Sequence, residues 1–283
     1  MRPLLVTGSR GQLGRALLAE AARRGLPAVG HDVDTLDITD GTAVDRLVAS
    51  VHPGVIVNCA AFTAVDACEE REEEAFAVNA EAVGHLAAAA EASGALLVQV
   101  STDYVFPGRG SRPLTEDEPT APLGAYGRTK LAGERRAARA PEHLIVRTAW
   151  LFGHGGNNFV EAILRQVESG RRQLSVVADQ TGCPTLADDL AGAILDLVDR
   201  GARGVVHAVN SGHTTWYGFA REIVRRAGAP VEVRPITTAE AGRPAPRPAW
   251  AVLDTSRLQS LLGHALPHWT DALARYLEAR CAS

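Results

Sequence analysis

The sequence predicts an α/β fold: a doubly wound parallel sheet of the Rossmann type with a smaller lobe after it. Three observations carry this. Short β-branched runs alternate with longer Ala/Leu/Arg/Glu-rich stretches of helical spacing, which is the pattern of βαβ units feeding a parallel sheet buried on both faces. The first of these runs leads straight into a glycine-rich turn and then a helix. With 283 residues, the chain is long enough for one large α/β domain or for a nucleotide-binding domain carrying a smaller lobe that lacks an independent core, so stability needs no staples.

Taken in order, the expected strands are Pro3–Thr7, Pro27–His31, Val55–Ala60, Leu96–Ser101 and Leu144–Thr148. Helices are expected to begin near Gln12, Thr42, Glu72 and Tyr126, each with an apolar stripe. After Trp150 the alternation loosens. Phe159–Ser169, Ala187–Asp199 and Trp216–Ala227 read as helices, and Leu174–Val177 and Val205–Val209 as strands. Pro244, Pro246 and Pro248 make the Ala241–Pro248 stretch a loop. The expected division is a dinucleotide-binding domain over 1–150, to which later segments return, and a mainly substrate-binding lobe over 151–283.

Composition narrows the function classes. With 46% hydrophobic and 22% charged residues and no low-complexity block, disordered and fibrous classes drop out. A net charge of -4 gives no basic footprint for nucleic acid. The apolar runs are too short to span a bilayer and no signal-peptide pattern opens the chain, so a cytoplasmic protein is expected. Cys59, Cys68, Cys183 and Cys281 form neither a CxxC pair nor a zinc-like cluster and are expected to be reduced, with no metal centre. A homodimer, and a Mg2+ ion at its subunit contact, stay open.

The turn Gly8-Ser9-Arg10-Gly11-Gln12-Leu13-Gly14 follows a strand and opens a helix. Glycine lets backbone approach a pyrophosphate, and a helix N-terminus offers free N–H groups. The spacing is GxxGxxG, and its position between strand and helix makes it a dinucleotide site. Asp32 ends the second strand 18 residues beyond Gly14, where a carboxylate accepts from ribose hydroxyls and favours NADH. Arg10, in the same turn, would instead meet the 2′-phosphate of NADPH. Either cofactor is compatible with this pattern.

Tyr126 and Lys130 lie four apart at the start of a helix, so they share one face. A cation beside a phenol is expected to bring the phenol's pKa down toward working pH for proton transfer to a carbonyl oxygen. A Tyr/Lys pair at this spacing is common on helix surfaces. It gains weight here because Ser101-Thr102-Asp103 places hydroxyls at the end of the fourth strand, in the same crevice, although capping of the next turn is an alternative use for them.

With these residues assembled, the chain resembles the extended short-chain dehydrogenase/reductases and, within them, the dTDP-4-dehydrorhamnose reductase family. The motifs that carry the resemblance span nearly the whole length. They are Gly11 to Gly14, Val57 to Asp66, Ser101 to Phe106, Tyr126 to Glu134, Arg147 to Trp150, Gly156 to Phe159, Asp179 to Thr185 and Thr214 to Trp216. The resemblance implies NAD(P)H-dependent reduction of the C4 ketone of dTDP-6-deoxy-L-lyxo-4-hexulose to dTDP-L-rhamnose. It implies Tyr126 as proton donor, Lys130 as its modulator and ribose ligand, and Thr102 as the hydroxyl that polarises the ketone. Gly11, Gln12, Leu13, Asp32, Asp37, Ile38, Ala60, Ala61 and Phe62 would line the dinucleotide, and Thr102, Asp103 and Trp150 the sugar nucleotide.

Two positions depart from the family pattern: Phe62 where His is usual, which removes a side-chain hydrogen bond to the cofactor, and Cys183 where Ala is commoner. Asn157, Asn158, Arg243 and Arg247 are available for the diphosphate of a dTDP-sugar, and Trp216 joins Trp150 as an aromatic that either flanks the ligand or fills the core. Two further readings stand beside this one: a 4-ketoreductase for another deoxysugar, and a non-catalytic regulatory subunit that keeps the nucleotide fold.

Overall fold

The computed structural model describes residues 2–281. Its centre is a parallel sheet built from β1 (Leu4–Thr7), β2 (Ala28–His31), β3 (Val55–Asn58), β4 (Leu96–Thr102) and β5 (His143–Thr148), with Gly204–His207 beyond β5. Across the sheet the order is Gly204–His207, β5, β4, β3, β1, β2. The chain therefore leaves β1 toward one edge and returns to its other side at β3, which opens a crevice at the carboxyl ends of these strands. Side chains of β1 and β4 are apolar on both faces because helices cover both: Leu17, Leu190 and Ile194 pack on one side, Val44, Val83 and Leu86 on the other.

Several elements follow local chemistry that the sequence announces. Asp40 caps the Gly41–Val51 helix by accepting from the Ala43 N–H at 3.0 Å. β3 stops at Asn58, two residues before the expected end. Its carboxamide oxygen accepts from the Ala60 N–H and the Thr7 hydroxyl, bending the chain out of the sheet. The helix expected near Glu72 runs Glu72–Phe76, passes through a π turn at Ala77–Glu81, and continues as Ala82–Ser93. In that turn Asn79 is buried and faces inward.

The second half divides its residues between two cores. The Gly204–His207 strand pairs with β5 and the Ala187–Asp199 helix packs on the Gln12–Arg23 helix, so both belong to the layers of the central sheet. The Ser256–Leu262 helix joins them through Leu258 and Leu262, while a lobe with a core of its own, contrary to expectation, forms around Phe152, Ile163, Phe219, Leu273 and Tyr276. There Gln173–Val177 pairs in parallel with Glu232–Ile236. That second strand, and the helices Ser256–Leu262 and Trp269–Cys281, go beyond the expected elements. Pro235 sits inside the strand, tolerable because this is a two-stranded edge. The Gly242–Pro248 segment is loop, as its prolines require. Cys59, Cys68 and Cys183 are free thiols, and the Cys281 side chain lies outside the described residues. Among the described residues no helix is long and apolar enough to cross a membrane.

Candidate active site

A cavity of about 740 Å³ opens at the carboxyl ends of the strands, with the glycine-rich turn at one end and Tyr126 and Lys130 at the other. Gly8 has φ +65°, and a Cβ there would come within 2.6 Å of the Ala60 backbone nitrogen. A Cβ on Gly14 would collide with the Gly8 carbonyl oxygen and the Ser9 backbone. Both positions are thus glycine for steric reasons, and together they hold the start of the Gln12–Arg23 helix against the end of β1. Gly11 caps that helix with no side-chain acceptor, so the first-turn N–H groups stay available to an anion. Such a bare, positively polarised cradle fits a dinucleotide pyrophosphate.

Of the residues expected around the dinucleotide, Gly8, Gly11, Gln12, Leu13, Gly14, Asp32, Asp37, Ile38, Ala60 and Ala61 line the cavity. Asp32 accepts from the backbone N–H groups of Arg10 at 2.8 Å and Val33 at 2.9 Å, and the Arg10 guanidinium pairs with Asp34 at 2.5 Å. Hydrogen bonds from Thr39 hold the Asp37 carboxyl below its ordinary range. Phe62 is not among the lining residues. Its ring packs with Cys68, Ala75 and Ala125 beneath the Arg71 guanidinium, 5.1 Å from the ring centroid. Its backbone is clamped by the Asn79 carboxamide, which accepts from the Phe62 N–H at 2.9 Å and donates to its carbonyl at 3.0 Å. Asn79 also donates to the Thr129 hydroxyl at 3.1 Å, tying this segment to the helix of Tyr126.

That helix spans Ala125–Ala137 and approaches β4 closely because Gly127 lies against the Tyr104 carbonyl, where a Cβ would not fit. The Tyr126 ring meets the Tyr104 ring edge-on at 5.4 Å. Burial, and then the nearby Asp103 carboxyl, push the Tyr126 phenol well above its ordinary range, against a smaller opposing effect of the Thr102 hydroxyl. The expected downward shift from Lys130 is absent: desolvation of the phenolate dominates, and Lys130 is not among the groups that act on it. The phenol is consequently held protonated, the form a donor needs. Lys130 is 4% exposed and donates to the Val100 carbonyl at 2.7 Å. Burial lowers its pKa to about 8, against the opposing pull of Glu134 and Cys59.

Ser101, Thr102 and Asp103 differ in what they offer. The Ser101 hydroxyl is committed to Glu134 at 2.5 Å. Thr102 donates to Asp103 Oδ1 at 2.9 Å and accepts from the Tyr104 N–H, while its hydroxyl also bears on Tyr126. Capping of the turn and a place in the site are therefore both properties of Thr102. Asp103 is 2% exposed, its Oδ2 has no partner among the described residues, and burial pushes its pKa up to about 7.

The second half contributes Trp150, Asn157, Trp216 and Arg247 to the cavity wall. Trp150 holds a left-handed backbone (φ +46°) and its indole stacks on Trp216 with centroids 3.5 Å apart and planes 8° from parallel. Gly182 makes room on the other face: a Cβ there would lie 2.5 Å from the Trp150 ring. Asn158 is not among the lining residues. Its side chain caps the Phe159–Glu168 helix and donates to Gln12 Oε1 at 3.1 Å and the Gly153 carbonyl at 3.0 Å, so it acts between the glycine-rich turn and the second lobe. Arg247 pairs with Asp66 at 2.9 Å and is largely buried, whereas Arg243 reaches Asp66 only at 3.7 Å and stands in solvent, outside the lining. Thr63, Val65 and Tyr104 also line the cavity without having been singled out. All three fall inside motif stretches already noted, so contiguity with Ala61 and Asp103 was the available signal. Among the described residues no group of three or more His, Cys, Asp or Glu side chains could hold a metal ion.

A parallel sheet with an open glycine-rich turn after its first strand, and a cavity-lining Tyr/Lys pair beyond its fourth, defines a short-chain dehydrogenase/reductase, an oxidoreductase that works with a nicotinamide dinucleotide. The model of the RmlD substrate binding domain matches residues 1–281, and the chain belongs to this family, that of dTDP-4-dehydrorhamnose reductase. It is 47% identical over 98% of its length, and 93% of the relative's, to a dTDP-4-dehydrorhamnose reductase of Streptomyces griseus. It is 44% identical over 95% of its length, and 92% of the relative's, to a probable dTDP-4,6-dihydroxy-2-methyloxan-3-one 4-ketoreductase of Streptomyces antibioticus. The crystal structure of the Bacillus anthracis dTDP-4-dehydrorhamnose reductase in complex with NADP is 36% identical and superposes with a TM-score of 0.95, covering 98% of this chain and 99% of that one.

Proposed function

We propose that this protein reduces the C4 ketone of dTDP-6-deoxy-L-lyxo-4-hexulose, dTDP-4-dehydrorhamnose, to dTDP-L-rhamnose. The observation that carries the reading is that Tyr126, Thr102 and Lys130 line one cavity with the glycine-rich turn. NADPH or NADH, when bound, supplies the hydride for C4. Tyr126 gives its proton to the oxygen that becomes alkoxide, and the Thr102 hydroxyl, which donates to Asp103 Oδ1 before substrate enters, turns to donate a hydrogen bond to the same oxygen. Lys130, fixed on the Val100 carbonyl, keeps a positive charge beside the phenolate left behind and has donors to spare for a ribose.

The other residues hold the ligands. Gly8, Gly11, Gln12, Leu13 and Gly14 with the free helix N–H groups would carry the pyrophosphate; Asp32, Asp37 and Ile38 the adenosine side; Ala60 and Ala61 the middle of the cofactor. Phe62, with its ring turned away and its backbone clamped, takes part through its position in the chain alone. Asp103 and the Trp150/Trp216 stack face the sugar nucleotide. Arg247 and Lys130 are the cations of the cavity wall among the described residues, and Arg247 is the one placed for a sugar-nucleotide diphosphate. Binding that remote group orients the reacting sugar without touching C4.

A second reading, a 4-ketoreductase for a different deoxysugar, is favoured by the 44% identity to the Streptomyces antibioticus relative. Intact Tyr126, Lys130 and Thr102 speak against the regulatory-subunit reading, since a binding module needs no proton donor. Supplying dTDP-6-deoxy-L-lyxo-4-hexulose with NADPH or NADH and identifying the product by NMR decides among the three. We expect dTDP-L-rhamnose; a different sugar moves the assignment to the second reading, and tight cofactor binding without turnover to the third. Initial rates with each cofactor settle the preference that Asp32 and Arg10 leave balanced.

A further inference from the structure

One turn beyond Lys130 on the same helix face, Glu134 is 4% exposed and accepts three hydrogen bonds: from Ser101 Oγ at 2.5 Å, Arg147 Nε at 2.9 Å and Arg147 Nη2 at 2.8 Å. Ser101 and Arg147 are register partners at the carboxyl ends of β4 and β5, each the immediate neighbour of a cavity-lining threonine, Thr102 or Thr148. A single carboxylate thus joins the helix that carries Tyr126 and Lys130 to the two strands whose ends form the reactive wall. The Arg147 guanidinium is confined in turn, 5.0 Å from the Phe106 ring centroid, with one further bond to the Glu116 carbonyl at 3.4 Å. Buried ion pairs of this kind seldom add stability over an apolar pair of the same volume, so stability is a weak account of this one.

We propose that Glu134 is a positioning residue for the reduction: bridged to Ser101 and Arg147, it fixes the Tyr126/Lys130 face against β4 and β5 and supplies the negative charge that bears on Lys130. This rests on the assignment of Tyr126 and Lys130 as the reductive pair. Glu134 on its own helix and Cys59 beyond β3 are the groups acting on the Lys130 ammonium. Tyr126 on the same helix, Asp103 and Tyr104 past β4, Arg147 on β5 and His207 on the adjoining strand are the other titratable and charged groups at these strand ends, and Arg147 is already spent on Glu134. Burial works to strip the proton from Lys130, and Glu134 opposes it.

The test is kcat/KM for the keto-sugar against pH in the full-length protein, for wild type, Glu134→Gln, Glu134→Asp and the volume-preserving pair Glu134→Met with Arg147→Met, with Tyr126→Phe as control. Wild type should lose activity as pH rises through about 8, where Lys130 deprotonates. In Glu134→Gln and in the double variant that decline should move to lower pH, leaving activity about tenfold below wild type at pH 8 and within about twofold at pH 6. Glu134→Asp keeps the charge and shortens the reach, so it should retain the wild-type midpoint with a lower kcat. If Glu134→Gln fails to fold, the double variant, which leaves no uncompensated charge, decides. A folded double variant whose profile keeps the wild-type midpoint overturns the proposal. Undiminished turnover in Tyr126→Phe would instead remove the reductive pair on which it rests.

Discussion

The same residue type, aspartate, behaves in opposite ways at the two ends of the cavity. At the glycine-rich end, Asp34 is 47% exposed in its side chain and pairs with an Arg10 that is 61% exposed, while Asp32 accepts from two backbone N–H groups. At the reactive end, Asp103 is 2% exposed, one oxygen has no partner among the described residues, and its pKa is displaced to about 7. The open end works by shape and by donors pointing the right way; the closed end works by deciding who carries a proton. Dehydration, rather than residue identity, separates the two tasks.

The sharpest way to break that contrast is Tyr126→Phe, which removes the proton donor and nothing at the open end. Turnover of NADPH should fall by about 10²- to 10⁴-fold, with cofactor affinity from a fluorescence titration within about threefold of wild type. A matched loss of affinity would mean the two ends are not separable. At the open end the corresponding lesion is steric. Gly14→Ala puts a methyl against the Gly8 carbonyl oxygen, so the turn must shift; we expect a loss of about 1–3 kcal/mol in a denaturant melt together with weakened cofactor binding. An unaltered melt would show that the turn has slack.

A gentler probe asks whether burial sets the charge of Asp103. Its folded pKa, about 7, lies above the ordinary carboxyl value of 3.8, so the protonated form favours the fold. That stabilisation is complete below the ordinary value and is lost as pH rises through about 7. Asp103→Asn, neutral at every pH, should therefore melt at a higher temperature than wild type at about pH 8.5, and the advantage should vanish near pH 4. An advantage equal at both pH values would assign the gain to packing. The smallest effect is expected from Asp34→Asn. Releasing Arg10 from an exposed pair should raise the NADPH-to-NADH ratio of kcat/KM by about two- to fivefold, and an unchanged ratio would exclude Arg10 from 2′-phosphate recognition.

The parts of this molecule that could be read from the chain are those fixed by neighbours in sequence. The glycine-rich turn is one, because strand, turn and helix are contiguous. The Tyr126/Lys130 pair is another, because a spacing of four fixes a shared face. The five early strands were found to within two residues at their ends, since burial on both faces leaves continuous apolar runs in four of them and the edge strand Ala28–His31 is bounded by Pro27 and Asp32. What escaped depends on distant contacts. Glu232–Ile236 has the composition of a loop until Gln173–Val177 lies beside it. Asn158 looks like a ligand residue until Gln12 is seen to accept from it. Phe62 was placed on the cofactor by its motif, but its ring is drawn the other way by Cys68, Ala75 and Ala125. The upward shift of Tyr126 could not be read at all, because it comes from burial and from Asp103 and Tyr104, which only the folded chain brings beside the phenol.

The π turn at Ala77–Glu81 turns this dependence into a rule about chain length. Asn79 reaches Phe62 and Thr129 from a turn that is wound more loosely than the α-helix on either side. Deleting one residue there would let the ladder close into regular α-helix, keeping the flanking helix in phase but re-aiming the side chains within the turn itself. Asn79 would then point away from both partners, and the segment leading from β3 would lose its anchor to the Tyr126 helix without a single contact residue having been replaced. A substitution at Glu81, the exposed position of this turn, is cheap by comparison; a shortening by one is not.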